Sequence, residues 1–253
     1  MSSDTDLKAR FIAVRGYWDA ESDALLEIDP VFFAKMVRLA EAPHVAGDLS
    51  LKLCALLRLA FDVSVTHLDK HAVEQDVAHA LKSGATAEEV LEVCHLSSVL
   101  GIHSCSVGVR ILTEELTSLG RQEEMWPEYD DSRREQIKEN FVRQRQFWAP
   151  VWDTLLRTFP DFFEAYTDYS SHPWVAGVLE PKVREFVYIA IDAATHHLYE
   201  PGLRVHIRNA LNHGATPGEI LTILQLLSAE GLRSSTLGAR VLRDAGSGLQ
   251  AAS

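Results

Sequence analysis

Residues Glu180 to Thr216 read EPKVREFVYIAIDAATHHLYEPGLRVHIRNALNHGAT. From Val183 to Ala194 the residues are apolar around most of a helical circumference, over a run longer than an ordinary buried strand. A loop, His196-His197-Leu198-Tyr199-Glu200-Pro201-Gly202, leads into a second helix that carries His206. That helix stops at Gly214, a residue suited to the left-handed position after a helix end. Thr216 and Glu219 then have the spacing of a capping box, with Pro217 at a first helical position where its missing N–H costs nothing. Helix, loop, helix, turn, helix is therefore the expected order, and no period-two alternation interrupts it.

The same pattern occurs earlier in the chain. Gly84-Ala85-Thr86 lies 130 residues before Gly214-Ala215-Thr216. That offset, held without a gap, pairs Trp18 with Trp148, Pro30-x-Phe32-Phe33 with Pro160-x-Phe162-Phe163, and Pro43-x-Val45-Ala46-Gly47 with Pro173-x-Val175-Ala176-Gly177. It also pairs His67-Leu68 with His197-Leu198, and Gly108-x-Arg110-x-Leu112 with Gly238-x-Arg240-x-Leu242. Roughly a third of the positions from Arg10 to Leu112 match their partners. Ungapped identity at that level indicates a tandem duplication. The expected architecture is all-α: a first copy at 10–116, a charged linker at 117–139 and a second copy at 140–244. Two helices are expected before the Pro43 or Pro173 turn and four shorter ones after it. Residues 1–9 and 245–253 are expected to be loose. Trp18, Trp148, Trp152 and the Phe pairs are expected in the core.

Composition narrows the function. The 253 residues carry a net charge of −12 and no block of Lys or Arg, which argues against nucleic acid and anionic membranes as partners. No apolar run is read as long enough to span a bilayer, and MSSDTDLKAR does not resemble a signal peptide, so a cytoplasmic location is expected. Cys54, Cys94 and Cys105 form no CxxC pair and no disulfide framework.

The run Arg184-Glu185-Phe186-Val187-x-Ile189-Ala190-Ile191, followed by His206-x-Arg208-x-Ala210-Leu211-x-x-Gly214-x-Thr216-Pro217-x-Glu219-Ile220, resembles the carboxymuconolactone decarboxylase family. That family belongs to the alkylhydroperoxidase D-like superfamily. The first copy resembles it more weakly, through Ala80-Leu81-x-x-Gly84-Ala85-Thr86-x-Glu88-Glu89-Val90. The resemblance implies a helical fold that oligomerises, with a trimer-like assembly of two-copy chains. The peroxidase branch has a CxxC just before the motif His. Those positions hold Tyr199 and Gly202 here, and Asp69 and Ala72 in the first copy. A thiol mechanism lacks both its nucleophile and its resolving thiol. The decarboxylase branch keeps a Glu and a His, which fall on Glu185 and His206; the first copy has Ala55 and Asp76 in their places.

The residue types agree with acid–base chemistry. His206 lies at the edge of its helix's apolar face, a half-buried position that suits a general acid or base. Glu185 shares one stripe with Arg184, Tyr188 and Asp192, which would line a pocket and orient His206 or else form a solvated or intersubunit face. Candidate substrate-binding residues are Arg184, Tyr199, His197, Arg208 and Arg233. Asp62 with Asp192, and His67 with His197, recur in both copies and therefore read first as structural. Glu230 ends a buried helix and needs a partner, for which Arg233 is the obvious choice.

The resulting expectation is a cofactor-free lyase acting on a small carboxylated lactone or related activated carboxylic acid. His206 and Glu185 would be catalytic, with no metal and no cofactor. A non-catalytic helical oligomer that binds a ligand or partner is the alternative. A metal-dependent enzyme is a third reading, because His67, Asp69, His71 and Glu74 lie close in sequence and carry ligating groups.

Overall fold

A computed structural model describes residues 3–45, 47–126 and 130–251, with 247–251 described by backbone only. Ala46 of the repeated motif, part of the charged segment and the outermost termini lie outside the described residues. Among those described, every regular element is helical. The first half runs α1 (Asp4–Arg15), α2 (Ala20–Ile28), α3 (Pro30–Val45), α4 (Leu51–Val63), α5 (Lys70–Lys82), α6 (Ala87–Ser98) and α7 (Ile102–Ser118). The second runs α8 (Asp131–Arg145), α9 (Pro150–Thr158), α10 (Pro160–Ala176), α11 (Pro181–Asp192), α12 (Glu200–Asn212), α13 (Pro217–Ala229) and α14 (Arg233–Ala251).

Local chemistry sets these boundaries. Both capping boxes form: Thr86 and Glu89 bond reciprocally at the start of α6, as do Thr216 and Glu219 at the start of α13. Gly84 and Gly214 take φ of +93° and +83°, the left-handed turn that ends α5 and α12. Three helices, not two, precede each proline turn. Pro30 and Pro160 each open a helix of their own, and Pro43 and Pro173 fall within its last turns. Helix α1 starts within the segment expected to be loose, and the Ser3 hydroxyl caps it by accepting from Asp6 N at 3.2 Å. At the other end α14 continues to Ala251. The charged segment contains a short 3-10 helix at Gln122–Met125 and the first turns of α8.

Helices α4 and α11 pack together at the centre, each buried along nearly its whole length. Around this pair the halves interlock. Helix α14 crosses to the first half, where Ala239 joins Phe11, Leu25 and Phe33. Helix α7 crosses to the second, where Ile102 and Val109 join Phe141, Leu155 and Phe163. Each crossing helix therefore adds aliphatic side chains to the other half's aromatic core. The crossing also delivers the first residues of α7 to the second half's polar cluster, and those of α14 to the first's.

The helical run Ala87–Ser118 is long and apolar enough by composition to cross a bilayer, contrary to the expectation that no run is. Here it packs within the protein. Its Glu92 is buried against Arg184, and α6 lies on α4 and α11.

Candidate active site

Helix α11 presents Glu185, Tyr188 and Asp192 along one face, and α12 lays His206 and Asn209 across it. His206 Nδ1 lies 2.6 Å from Glu185 Oε2, and Asn209 Nδ2 donates to Glu185 Oε1 at 3.3 Å. The phenol ring of Tyr188 stacks on His206 with centroids 4.4 Å apart. The imidazole is thus fixed on one edge and one face. Its Nε2 is left towards Asp192, whose Oδ2 is 4.0 Å away. That Asp192 oxygen is buried and makes no hydrogen bond. Burial raises the Asp192 carboxyl to about 7; His206 opposes the rise and Glu185 adds to it.

The turn before α12 shapes the rest. Leu198 has φ of +48°, a left-handed conformation costly for a branched residue, pinned by Leu198 N→Ala194 O and Tyr199 N→Asp192 O, both 2.8 Å. Leu68 adopts the same φ in the first half, so the strain belongs to the duplicated turn. The turn directs His197 at Asp192 Oδ1, 3.9 Å away, and Tyr199 onto the His103 ring, 3.7 Å between centroids. His103 Nδ1 and His197 Nε2 share a 2.8 Å hydrogen bond, and Tyr199 Oη bonds Ser106 Oγ at 2.9 Å. Desolvation, with His197 and His206 nearby, lowers His103 to about 3, and desolvation lowers His197 too. His103, His197 and Asp192 are close enough to surround an ion. The facing nitrogens of the two rings share one proton, and Asp192 Oδ1 stands 3.9 Å from each, too far for a hydrogen bond.

A cavity of 510 Å³ opens on this face, bounded by Tyr188, Asp192, Tyr199 and His206 from the second half and by Leu100, His103 and Ser106 from the first. Its remaining walls are largely apolar, with Trp152, Phe147 and Ile191 among them. Arg145, the last residue of α8, also lines it and is buried.

The structure thus brings together Glu185, His206 and Tyr199, with His197 just behind. The three expected arginines lie elsewhere. Arg184 is buried in an ion pair, its Nε 2.7 Å from Glu92 Oε1, and Glu92 also accepts from Val178 N and Leu179 N. Arg208 is exposed and does not line the cavity. Arg233 is carried by α14 to the first half, where it bonds Asp62 at 2.7 Å and Asp69 at 2.9 Å. Glu230 does not pair with Arg233: its carboxylate takes the Arg15 guanidinium in two bonds of 2.5 and 2.7 Å, because Arg15 ends α1 directly opposite. Asp192, expected on that stripe but first as a structural residue, lines the cavity. The spacing from Glu185 through Tyr188 to Asp192 was the signal that it faces inward. His103, Ser106 and Arg145 come from elements distant in sequence.

The first half's equivalent place is filled with charge. Arg58 stands where Tyr188 stands, 3.7 Å from Asp76 and 2.6 Å from His79 Nδ1. Burial raises both Asp62 and Asp76. The His67 loop does not converge on a common point. His67 reaches Asp62 at 3.2 Å, Asp69 caps α5 and pairs with Arg233, His71 meets Gln75, and Glu74 meets Lys70.

Comparison with known proteins follows the same line. The carboxymuconolactone decarboxylase family matches residues 160–243. The whole chain is similar to a solved structure from Burkholderia xenovorans LB400, described as a candidate gamma-carboxymuconolactone decarboxylase subunit. Identity is 39%, the match covers 100% of this chain and 99% of that one, and the TM-score is 0.92. No curated protein matches the sequence at a significant level.

Proposed function

The chain belongs to the carboxymuconolactone decarboxylase family, and from that premise we propose that it is a cofactor-free lyase that decarboxylates a small unsaturated lactone acid or a related activated carboxylic acid. One observation supports this most directly. A His206–Glu185 pair at 2.6 Å faces a mostly apolar cavity beside Asp192, a carboxyl held near neutrality.

Decarboxylation breaks the bond between the ring carbon and the carboxylate carbon. The electron pair stays on the ring carbon and delocalises into the conjugated carbonyl, CO₂ leaves, and the carbon takes a proton. An apolar cavity favours spreading charge from a localised carboxylate into that system. Glu185 stabilises the His206 imidazolium through Nδ1–H and directs Nε2 into the cavity. His206 delivers the proton, with Asp192 across from Nε2 able to hold and return it. Sulfur chemistry finds no support: Tyr199 and Gly202 stand at the CxxC positions, and burial pushes the Cys54 thiol up to about 11.

Incubation with a panel of unsaturated lactone acids, followed by CO₂ release and ring absorbance, tests the proposal. Turnover by the wild type and loss of at least 100-fold in His206→Gln is expected. Wild-type turnover by His206→Gln would overturn the role given to that residue. Binding without turnover across the panel would favour a ligand-binding protein.

A further inference from the structure

The two halves treat one buried cation differently. Arg15 and Arg145 are paired by the 130-residue offset and each ends the first helix of its half. Each is followed by a left-handed residue, Gly16 at φ +81° and Gln146 at φ +60°. Both guanidinium groups are nine-tenths buried or more. Arg15 is satisfied by the two oxygens of Glu230 at 2.5 and 2.7 Å. The residue paired with Glu230 is Leu100, so the second half offers no carboxylate at that place.

Arg145 is correspondingly under-satisfied. Nη1 donates to Ser170 O at 3.2 Å, Nη2 reaches Tyr188 Oη only at 3.5 Å, and Nε has no hydrogen-bond partner. No ion pair to Arg145 occurs among the described residues; instead the rings of Trp174, Tyr188, Phe147 and Phe141 lie 5.1 to 5.7 Å from its guanidinium carbon. Aromatic faces attract a cation but do not replace a counter-ion lost with water. Arg145 lines the cavity, and so does Leu100. The planar fork of an arginine matches a carboxylate bidentately, and the first half shows that geometry made.

We propose that the cavity binds a carboxylate ligand on Arg145, its carboxylate group standing where Glu230 stands in the first half. The inference rests on the decarboxylase reading in one respect, which carboxylate this is. Tyr188 separates the two ends of the site: its hydroxyl meets Arg145 and its ring stacks on His206. A carboxylate on Arg145 is therefore about one tyrosine ring away from the reacting carbon. On the decarboxylase reading it is not the carboxylate that leaves at His206, and Arg145 is a positioning residue for the substrate.

Benzoate and 2-furoate, with their uncharged amides as controls, probe the site by isothermal titration of the full-length protein. The wild type is expected to bind at least one of these acids at least 10-fold more tightly than its amide. Leu100→Glu supplies Arg145 with the carboxylate that Arg15 already has. It should fold with an unchanged or raised Tm and lose the acid binding by at least 10-fold. Arg145→Gln should lose it as well, with benzamide binding unaffected. If Arg145→Gln fails to fold, Leu100→Glu carries the test alone. Acid binding equal in folded Leu100→Glu and wild type overturns the proposal, as does no preference of the wild type for acid over amide. Turnover is a separate readout. Acid binding that depends on Arg145 without turnover of any lactone acid would leave this site standing and remove the decarboxylase reading.

Discussion

Nε2 of His206 faces Oδ2 of Asp192 across 4.0 Å, and that oxygen has no hydrogen-bond partner. Burial holds the Asp192 carboxyl up at about 7. A protonated Asp192 can replenish His206; an ionised one holds the proton on the imidazole more tightly. kcat/KM is therefore expected to fall as pH rises above about 7, and Asp192→Asn should lose this limb along with about 100-fold in kcat. Stability moves in the same direction. The folded state keeps a proton on Asp192 that the unfolded chain releases near pH 4, so this group's contribution is full below about pH 4 and declines as pH rises through 7. Urea unfolding at pH 5 and pH 8 should show a smaller decline for Asp192→Asn than for the wild type. Equal slopes would place the titration elsewhere.

Glu185 acts through His206. A Gln at this position keeps the shape and a hydrogen bond to Nδ1 but no longer stabilises the imidazolium. Losses of metal or catalytic function on changing such partners run about 10–100-fold. Glu185→Gln is expected to reduce kcat within that range, leave KM within about 3-fold, and shift the alkaline limb of the rate profile down in pH. An unchanged alkaline limb would mean that the pair is a packing contact only.

Much of this was legible in the sequence for a physical reason: the features were local. The capping boxes, the Gly84 and Gly214 turns and the 130-residue repeat depend on residues close in sequence or on self-comparison, and the helices follow from them. The Glu185–His206 meeting was legible through the motif and the single stripe on α11. Partners of buried charge were not legible. Arg233 and Glu230 sit three residues apart, yet a helix start turns between them and sends one to Asp62 and the other to Arg15. Helix propensity does not say that α7 and α14 exchange halves, so His103, Ser106 and the fate of Arg233 could not be read from within one copy. The offset did contain one unused clue, the matched pair Arg15 and Arg145 with Glu230 opposite Leu100.

Gly202 stands where the first half has Ala72. A Cβ on Gly202 would collide with Asp192 Oδ2 and with the Tyr199 ring. Neither can withdraw freely, because the Asp192 side chain is short and buried and Tyr199 is stacked on His103. Gly202→Ala is expected to lower kcat/KM by at least 10-fold by displacing Asp192 from His206, while thermal unfolding moves by only a few degrees. Full activity in this variant would show that Asp192 is not needed at its observed distance.

Arg184 is a structural cation. It and Glu92 are both almost fully buried and tie α11 to α6 across the halves. Arg184→Met removes one member of the pair and leaves Glu92 with only its two backbone donors, Val178 N and Leu179 N. Breaking a buried pair in this way costs about 3–5 kcal/mol. Urea unfolding should show that loss, and kcat of the folded fraction should stay within about 2-fold of wild type because Arg184 does not line the cavity. A selective rise in KM without destabilisation would return Arg184 to the substrate.

Each chain is expected to carry one active site. In the first half Arg58 takes the place of Tyr188, Asp76 the place of His206 and Ala55 the place of Glu185, so the positions equivalent to the His206–Glu185 pair hold no imidazole. The corresponding space holds the Arg15–Glu230 pair and Arg233 with Asp62 and Asp69. Asp62 and Asp192 are therefore equivalent in sequence but not in use. Asp62→Asn leaves Arg233 bonded to Asp69, so the variant should fold with a loss of about 1–3 kcal/mol and keep turnover within about 2-fold. Asp192→Asn should lose turnover by about 100-fold. Titration with a tight-binding product analogue should then give one site per chain in the wild type and in Asp62→Asn. Two sites per chain, or equal loss of activity in the two variants, would mean that the filled half performs chemistry of its own.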